Sequence, residues 1–464
     1  MPEFLMNAPV LAAISGILLF LSDYPARLWF LQLGAFIPWL YALLNHCPSV
    51  TSATLAGLCL GLCYTVPMMG MLRFPLPLTA ILTAYMTAIW TLLSIGAYFF
   101  LRWPLPHGAL AVACLGVLLE WLNVTLFPMW GTAQSFVRVW SAAPWAIQFV
   151  RISGMKGIVF VLLACQSLAA IVLTRPEDQP LVLMILAALL GPPMVYNAAS
   201  WLRVPKQSIK AAALGWTFEH LDDGPETTSV DLFKQFFKPF VAQAANGGAK
   251  ILVSPETGLA FSAHEREMWL STFGDLARSY GIMLAIGYFN LERNDNRIAF
   301  IDSTGKLRGE YAKTHLIPFF ENYRRGEGKL VLLDVEDAAL GGMICQDDNF
   351  TDLARRYASE DVQIMAVPTN DWRKVKDYHF EACIFRAIEF GYAIVRGASN
   401  GISAIITEKG RVLARRDHFR EGPGCVVADL PVGSGRTFYA RFGEWLVVAC
   451  AAALAGMLAL RFAA

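Results

Sequence analysis

The chain has 464 residues, of which 56% are hydrophobic and only 16% charged, a balance too apolar for an ordinary soluble protein of this length. A formal net charge of +1 implies no nucleic-acid partner. Nine cysteines and seven histidines include no C-x-x-C pair and no His-rich cluster, so the ligand spacings of a structural zinc site are absent.

In chain order, apolar runs fall near 5–22, 27–45, 53–72, 76–101, 107–127, 155–174 and 181–201. Each has about the ~20 residues that cross a bilayer as a helix. The first lacks a Lys/Arg-rich start and is followed by more spans, so it reads as a helix rather than a signal peptide. A shorter run, Trp445 to Leu460, closes the chain. The expected organisation is a seven-span membrane domain over 1–205, a polar domain over 206–437 and a C-terminal transmembrane helix over 438–464. With the N-terminus cytoplasmic, inner loops carry Arg102, Arg175 and Arg461, and outer loops carry Arg27, Arg73, Arg138, Arg151 and Lys156. The positive-inside count does not support that orientation. An odd number of spans places the polar domain on the side opposite the N-terminus.

Glu120 lies within an apolar span, where a charge is costly unless paired; a structural pair with Asn123 or a nearby Arg is expected. Trp130, Trp140 and Trp145 read as interfacial anchors.

The polar domain alternates strands and helices. Lys250 to Val253 is a strand, Glu265 to Tyr280 a helix and Ile282 to Phe289 a strand. Arg297 to Ile301 and Leu307 to Tyr311 flank a Ser-Thr-Gly-Lys turn and form a hairpin. Val362 to Val367 is a strand ending in Pro368-Thr369-Asn370-Asp371-Trp372. His379 to Phe390 is helical, and Ala393 to Ala398 and Ser403 to Thr407 are strands. This mixed order argues an α/β domain with helices covering the sheets.

Cys345 carries the chemistry. It ends the strand-like run Gly341-Gly342-Met343-Ile344 and precedes a helix start at Gln346-Asp347-Asp348-Asn349-Phe350. A thiol at such a turn is expected to face solvent, with its pKa lowered by backbone N–H groups and the helix dipole. Glu256 follows the strand at Ser254-Pro255, and Lys313 precedes Leu316-Ile317-Pro318-Phe319. A Glu, a Lys and a Cys in that order supply a general base, an electrophilic cation and a nucleophile. Asp347 reads equally as a helix N-cap or as active-site support.

These residues resemble the nitrilase superfamily, whose members use a Glu-Lys-Cys triad on an α-β-β-α sandwich. Among them the chain is similar to the membrane-embedded apolipoprotein N-acyltransferases. The resemblance runs through Leu119-Glu120-Trp121-Leu122, Phe127-Pro128-Met129-Trp130-Gly131, Gln148-Phe149 and Gly154-Met155-Lys156-Gly157. It continues through Lys313 to Glu321, Asn370-Asp371-Trp372, Arg386-Ala387-Ile388-Glu389, Ser399 to Ala404 and Tyr439 to Trp445.

The resemblance implies a membrane-bound acyltransferase of a bacterial inner membrane, its catalytic domain facing the periplasm. The donor would be a phospholipid and the acceptor the N-terminal amine of a lipoprotein or lipopeptide. Glu256, Lys313 and Cys345 are the catalytic residues it implies, with Glu321 as a second carboxylate near them and Gln346, Asp347 and Trp372 as supporting or substrate-binding positions. An ester donor yielding an amide runs downhill, so no cofactor, ATP or metal is called for. The alternative is a membrane-tethered amidase hydrolysing a C–N bond with the same triad.

The chain departs from the family pattern at three places. Cys345-Gln346-Asp347 stands for Cys-Tyr-Glu, Ser254 stands for Trp before Pro-Glu, and Trp216-Thr217-Phe218-Glu219-His220 replaces a Gln-x-Asn strand. These are pocket-wall positions in the family, and acceptor choice is where they are expected to act.

Overall fold

The computed structural model describes residues 7–23, 26–126, 129–216 and 230–463. Phe127, Pro128 and the substituted stretch Thr217 to His220 therefore lie outside the described residues. The chain forms two compact units. One comprises residues 1–128, 134–202 and 444–464, and the other 129–133 and 203–443.

The first unit is helical: α1 (Ala8–Asp23), α2 (Ile37–Asn45), α3 (Val50–Leu72), α4 (Leu76–Phe100), α5 (His107–Leu126), α6 (Val150–Ser153), α7 (Lys156–Thr174) and α8 (Gln179–Leu202), closed by the helix Trp445–Ala463. Among the described residues, seven helical stretches are long and apolar enough to cross a membrane. α1, with 16 residues, is shorter, at about 24 Å. Helices dominate because only a helix satisfies its own backbone where no water can.

The second apolar run is not one helix. It is a 3-10 turn over Ala26–Leu33 followed by α2 after Gly34, with Pro38 in the first turn. The backbone groups freed by this break find a partner in α7. Gln166 accepts from Phe36 N at 2.7 Å and donates to Gln32 O at 2.8 Å. Trp140, expected at an interface, is instead buried and donates Nε1 to Gln32 Oε1 at 2.9 Å. Trp130 is also buried, and only Trp145 is exposed.

Glu120 Oε2 accepts from Asn123 Nδ2 at 3.4 Å, one turn along α5. Arg138 is buried against Asp23 at 2.6 Å, and Lys156 against Glu444 at 2.9 Å. Arg151 is buried as well. Three of the cations counted as outer-loop charges thus lie inside the unit. They are not free loop charges, so the count does not decide orientation.

The second unit is built on two sheets. The first contains β1 (Ser208–Gly215), β2 (Ile251–Val253), β3 (Ala260–Phe261), β4 (Met283–Asn290), β5 (Asp295–Ile301), β6 (Leu307–Ala312) and the late strand Gly424–Pro431. That late strand pairs antiparallel with β1, while β1, β2 and β4 run parallel and β4, β5 and β6 antiparallel. The second contains β7 (Leu333–Val335), β8 (Ala338–Gly342), β9 (Ile364–Asn370), β10 (Ala393–Ser399), β11 (Ile402–Ile406) and β12 (Val412–Asp417). β8, β9 and β10 are parallel, with antiparallel strands at both edges.

Two helices absent from one another in sequence cover the first sheet: Val230–Asn246 and Arg266–Tyr280. Phe237 and Val241 of the former, and Trp269, Phe273 and Ala277 of the latter, share one core with Leu252, Leu284 and Ile286. Truncating fully buried Trp269 to Ala would cost about 3–5 kcal/mol. The helices Thr351–Ser359 and Lys376–Phe390 belong to the second sheet's half. The sheets approach closely enough that a Cβ at Gly397 of β10 would collide with the Val253 carbonyl of β2. This is the α-β-β-α sandwich expected from the motifs.

Candidate active site

The parallel strands of both sheets deliver the polar residues at their carboxyl ends, where α/β folds place ligands. Glu256 follows β2, Cys345 follows β8, and Asn370 and Asp371 end or follow β9. Lys313 follows the antiparallel strand β6.

Lys313 Nζ donates to Glu256 Oε1 at 2.7 Å and to Glu321 Oε1 at 2.6 Å. Glu256 Oε1 also accepts from Asn296 Nδ2 at 2.6 Å, and Oε2 from Asn370 N at 2.7 Å. Glu321 is fixed from its other oxygen by Ile317 N at 2.8 Å. Glu256, Lys313 and Cys345 are all buried. The charges of Glu256 and Lys313 both act on the Cys345 thiol, so the three predicted residues share one buried site.

Two expectations for Cys345 are corrected. Its side chain does not face solvent but is 1% exposed. Its pKa is not lowered: burial, then the Glu256 charge, push it well above that of a free thiol, and Lys313 offsets this only in part. Desolvation outweighs the turn's N–H groups. A thiol raised in this way calls for a base if it is to act as a nucleophile. Burial, with the neighbouring Glu321 charge, raises Glu256 against the opposing pull of Lys313. Burial opposes the charge on Lys313, but Glu256, Cys345 and Glu321 hold it protonated.

Cys345 has φ +46, a left-handed conformation that is strained for a side-chain-bearing residue. The chain enters a short 3-10 turn at this point, Cys345–Asn349, instead of running directly into the helix Thr351–Ser359. Asp347 secures the turn. Its carboxylate accepts from Ile344 N (3.1 Å), Tyr311 OH (2.7 Å), Thr314 N (3.1 Å), His315 N (2.6 Å) and His315 Nδ1 (3.0 Å). It therefore ties the nucleophile turn to the loop that carries Lys313.

Gln346 is fully buried, with both ends of its amide engaged. Nε2 donates to Met129 O at 2.6 Å, and Oε1 accepts from Asn349 Nδ2 at 3.0 Å. Thr132 Oγ1 adds a bond to Asn349 O at 3.0 Å. The Gln346 side chain thus holds the segment 129–133 rather than standing free as a wall. Ser254 is buried and accepts from Gly287 N at 2.9 Å. Trp372 is half-buried, 5.8 Å from the ring of the exposed Phe320.

Sequence reasoning missed a second polar array on the sulfur. His379 Nδ1 is 4.0 Å from Cys345 Sγ and 2.8 Å from Asp371 Oδ1. Arg396 Nη2 donates to Asp371 Oδ2 at 3.0 Å, and its Nη1 to Ile402 O at 2.8 Å. Arg396 was visible as a lone charge within the apolar strand Ala393 to Ala398. Asn296 gave no signal beyond a polar residue just before a hairpin. The Cys345, Asp371 and His379 donor atoms lie within 4.8 Å of one another.

A buried Cys beside a Glu–Lys pair, at the strand ends of an α-β-β-α sandwich, defines a nitrilase-type enzyme. The family model for carbon-nitrogen hydrolases matches residues 196–439, and that for the apolipoprotein N-acyltransferase N-terminal domain matches 15–168. An apolipoprotein N-acyltransferase of Geobacter metallireducens is 25% identical over 358 residues, 68% of this chain and 67% of that protein. One from Vibrio vulnificus is 24% identical over 95% of this chain and 94% of its own length. Among solved structures, an amidase from Nesterenkonia sp. is 21% identical, with a TM-score of 0.43, covering 50% of this chain and 93% of its own. The chain belongs to the carbon-nitrogen hydrolase family, in its membrane-embedded apolipoprotein N-acyltransferase branch. It is a multi-pass bacterial membrane enzyme.

Proposed function

We propose that this enzyme transfers a fatty acyl chain from a phospholipid, through a thioester on Cys345, to the N-terminal amine of a lipoprotein. The observation that carries this reading is the meeting of Glu256, Lys313 and Cys345 in one buried site of a chain that also bears the N-acyltransferase membrane domain.

Glu256 takes the thiol proton as general base, and the thiolate attacks the donor ester carbonyl. Charge then develops on the carbonyl oxygen. Lys313 and the backbone N–H at Gln346 stabilise it, at roughly 3 kcal/mol per donor. The C–O bond breaks, and Glu256 returns its proton to the leaving lysophospholipid oxygen. In the second half the acceptor amine attacks the thioester, Glu256 accepts its proton, and the Cys345 thiol is restored. Glu321 holds Lys313 in place, Asp347 and Gln346 hold the nucleophile turn, and Trp372 with Phe320 contributes apolar surface for the substrate. In this reading the polar domain, 206–437, faces the periplasm, where the acceptors mature.

The test is intact mass of the purified protein after incubation with phosphatidylethanolamine, followed by a diacylglyceryl-Cys peptide. An adduct of one acyl chain on Cys345, discharged by the peptide amine to an amide, is expected. Release of ammonia from amide substrates, with no acyl adduct from lipid, would replace this reading with the amidase.

A further inference from the structure

We infer that His379 is a second N–H donor to the Cys345 sulfur, set in that role by Asp371 and Arg396 and acting with the Glu256–Lys313 pair. The inference rests on Cys345 being the nucleophile of the reaction above.

The hydrogen bonds decide which nitrogen carries the proton. Asp371 is fully buried. Burial alone would raise its carboxyl, but the Arg396 charge and the His379 hydrogen bond hold it below the usual range, so it is ionised. A carboxylate only accepts. The 2.8 Å contact to His379 therefore needs the proton on Nδ1. Nε2 is buried and has no hydrogen-bond partner among the described residues.

That same Nδ1 lies 4.0 Å from Sγ. In the resting enzyme the thiol has another partner, the Asn370 carbonyl at 3.7 Å. Once the proton moves from sulfur to Glu256, the sulfur becomes an acceptor with full negative charge. It then finds Lys313 and the shared N–H of His379. No proton leaves His379 and no further species is needed. The charges of Glu256, Glu321 and Asp371 all oppose a thiolate at this sulfur, and Lys313 favours it. Further charges near this array are Asp348 in the nucleophile turn and Arg386 on the helix Lys376–Phe390.

The test exploits side-chain geometry. The amide nitrogen of Asn can occupy the place of a histidine Nδ1, and that of Gln the place of Nε2. H379N therefore keeps a donor toward the sulfur, and H379Q removes it. The readout is the rate of iodoacetamide alkylation at Cys345 against pH, followed by peptide mass in the full-length protein. A hydrogen bond to a charged group is worth ~1.5–3 kcal/mol, so the alkylation midpoint should rise by about one unit or more in H379Q. Thioester formation should slow on the order of ten-fold or more in the same variant. H379N should lie nearer the wild type on both readouts. If H379Q does not fold, H379L, which keeps apolar volume, takes its place. A midpoint unmoved by loss of the donor overturns the inference, as does one moved equally by H379N and H379Q, since packing alone would treat the two amides alike. Alkylation needs no acyl donor. A wild type that forms no thioester would therefore sink the acyltransfer reading while leaving this measurement able to decide the role of His379.

Discussion

At the residue scale, the buried thiol sets the terms. Because burial raises Cys345, the proposed first half-reaction calls for a base, and Glu256 is the carboxylate in that buried site. Cys345→Ala should abolish acyl transfer without unfolding the protein. Glu256→Gln should bind lipid yet form no thioester, because an amide cannot take the thiol proton. Intact mass reads both, and a normal adduct in the Gln variant would refute the base assignment. His315 offers a separate test through pH. Burial opposes its charge, but hydrogen bonds to Asp347 and Asp352 raise it from 6.5 to about 9. A raised His stabilises the fold fully below its unfolded pKa and loses that contribution as pH rises through the folded one. Thermal-inactivation midpoints across roughly pH 6 to 10 should therefore fall on the alkaline side in wild type. In His315→Gln that part of the decline should be absent.

At the element scale, two loops from different sheets make the site, and Asp347 joins them. Its carboxylate receives three backbone N–H groups, a phenol and an imidazole. Asp347→Asn substitutes a donor for one acceptor and leaves some of these groups buried without partners. The cost is about 3 kcal/mol, equivalent to roughly 6–12 °C for a region of this size. A thermal-inactivation curve that does not move would show that the loops are held otherwise. The strained φ of Cys345 belongs to this scale too. The turn is held by Asp347 on one side and by the Gln346–Met129 bond on the other, so the strain persists because its surroundings are over-determined.

At the scale of the whole molecule, the loop charges that would report orientation are partly consumed inside the membrane unit, as Arg138–Asp23 and Lys156–Glu444. Orientation therefore needs a direct measurement. Glu336 is exposed in the polar domain. Glu336→Cys should react with a membrane-impermeant maleimide in intact spheroplasts, since the proposed catalytic domain is periplasmic. Labelling only after lysis would place the domain on the other side.

The sequence by itself determined the architecture and nominated the triad. Runs of about twenty apolar residues have one solution in lipid, and the punctuated strands between them have few. Glu256, Lys313 and Cys345 were legible because each sits at a strand end beside a recognisable turn. What only the tertiary structure decided was the state of those groups and their company. Whether a thiol is exposed or desolvated depends on the packing of two sheets that lie far apart in the chain. The break before α2 was hidden inside an apolar run because its repair comes from Gln166, well over a hundred residues away. The Asp371–His379 contact was hidden for a similar reason. Asp371 follows a strand and His379 sits on a helix, and their meeting with Cys345 and Arg396 is a product of strand order, which no local pattern records.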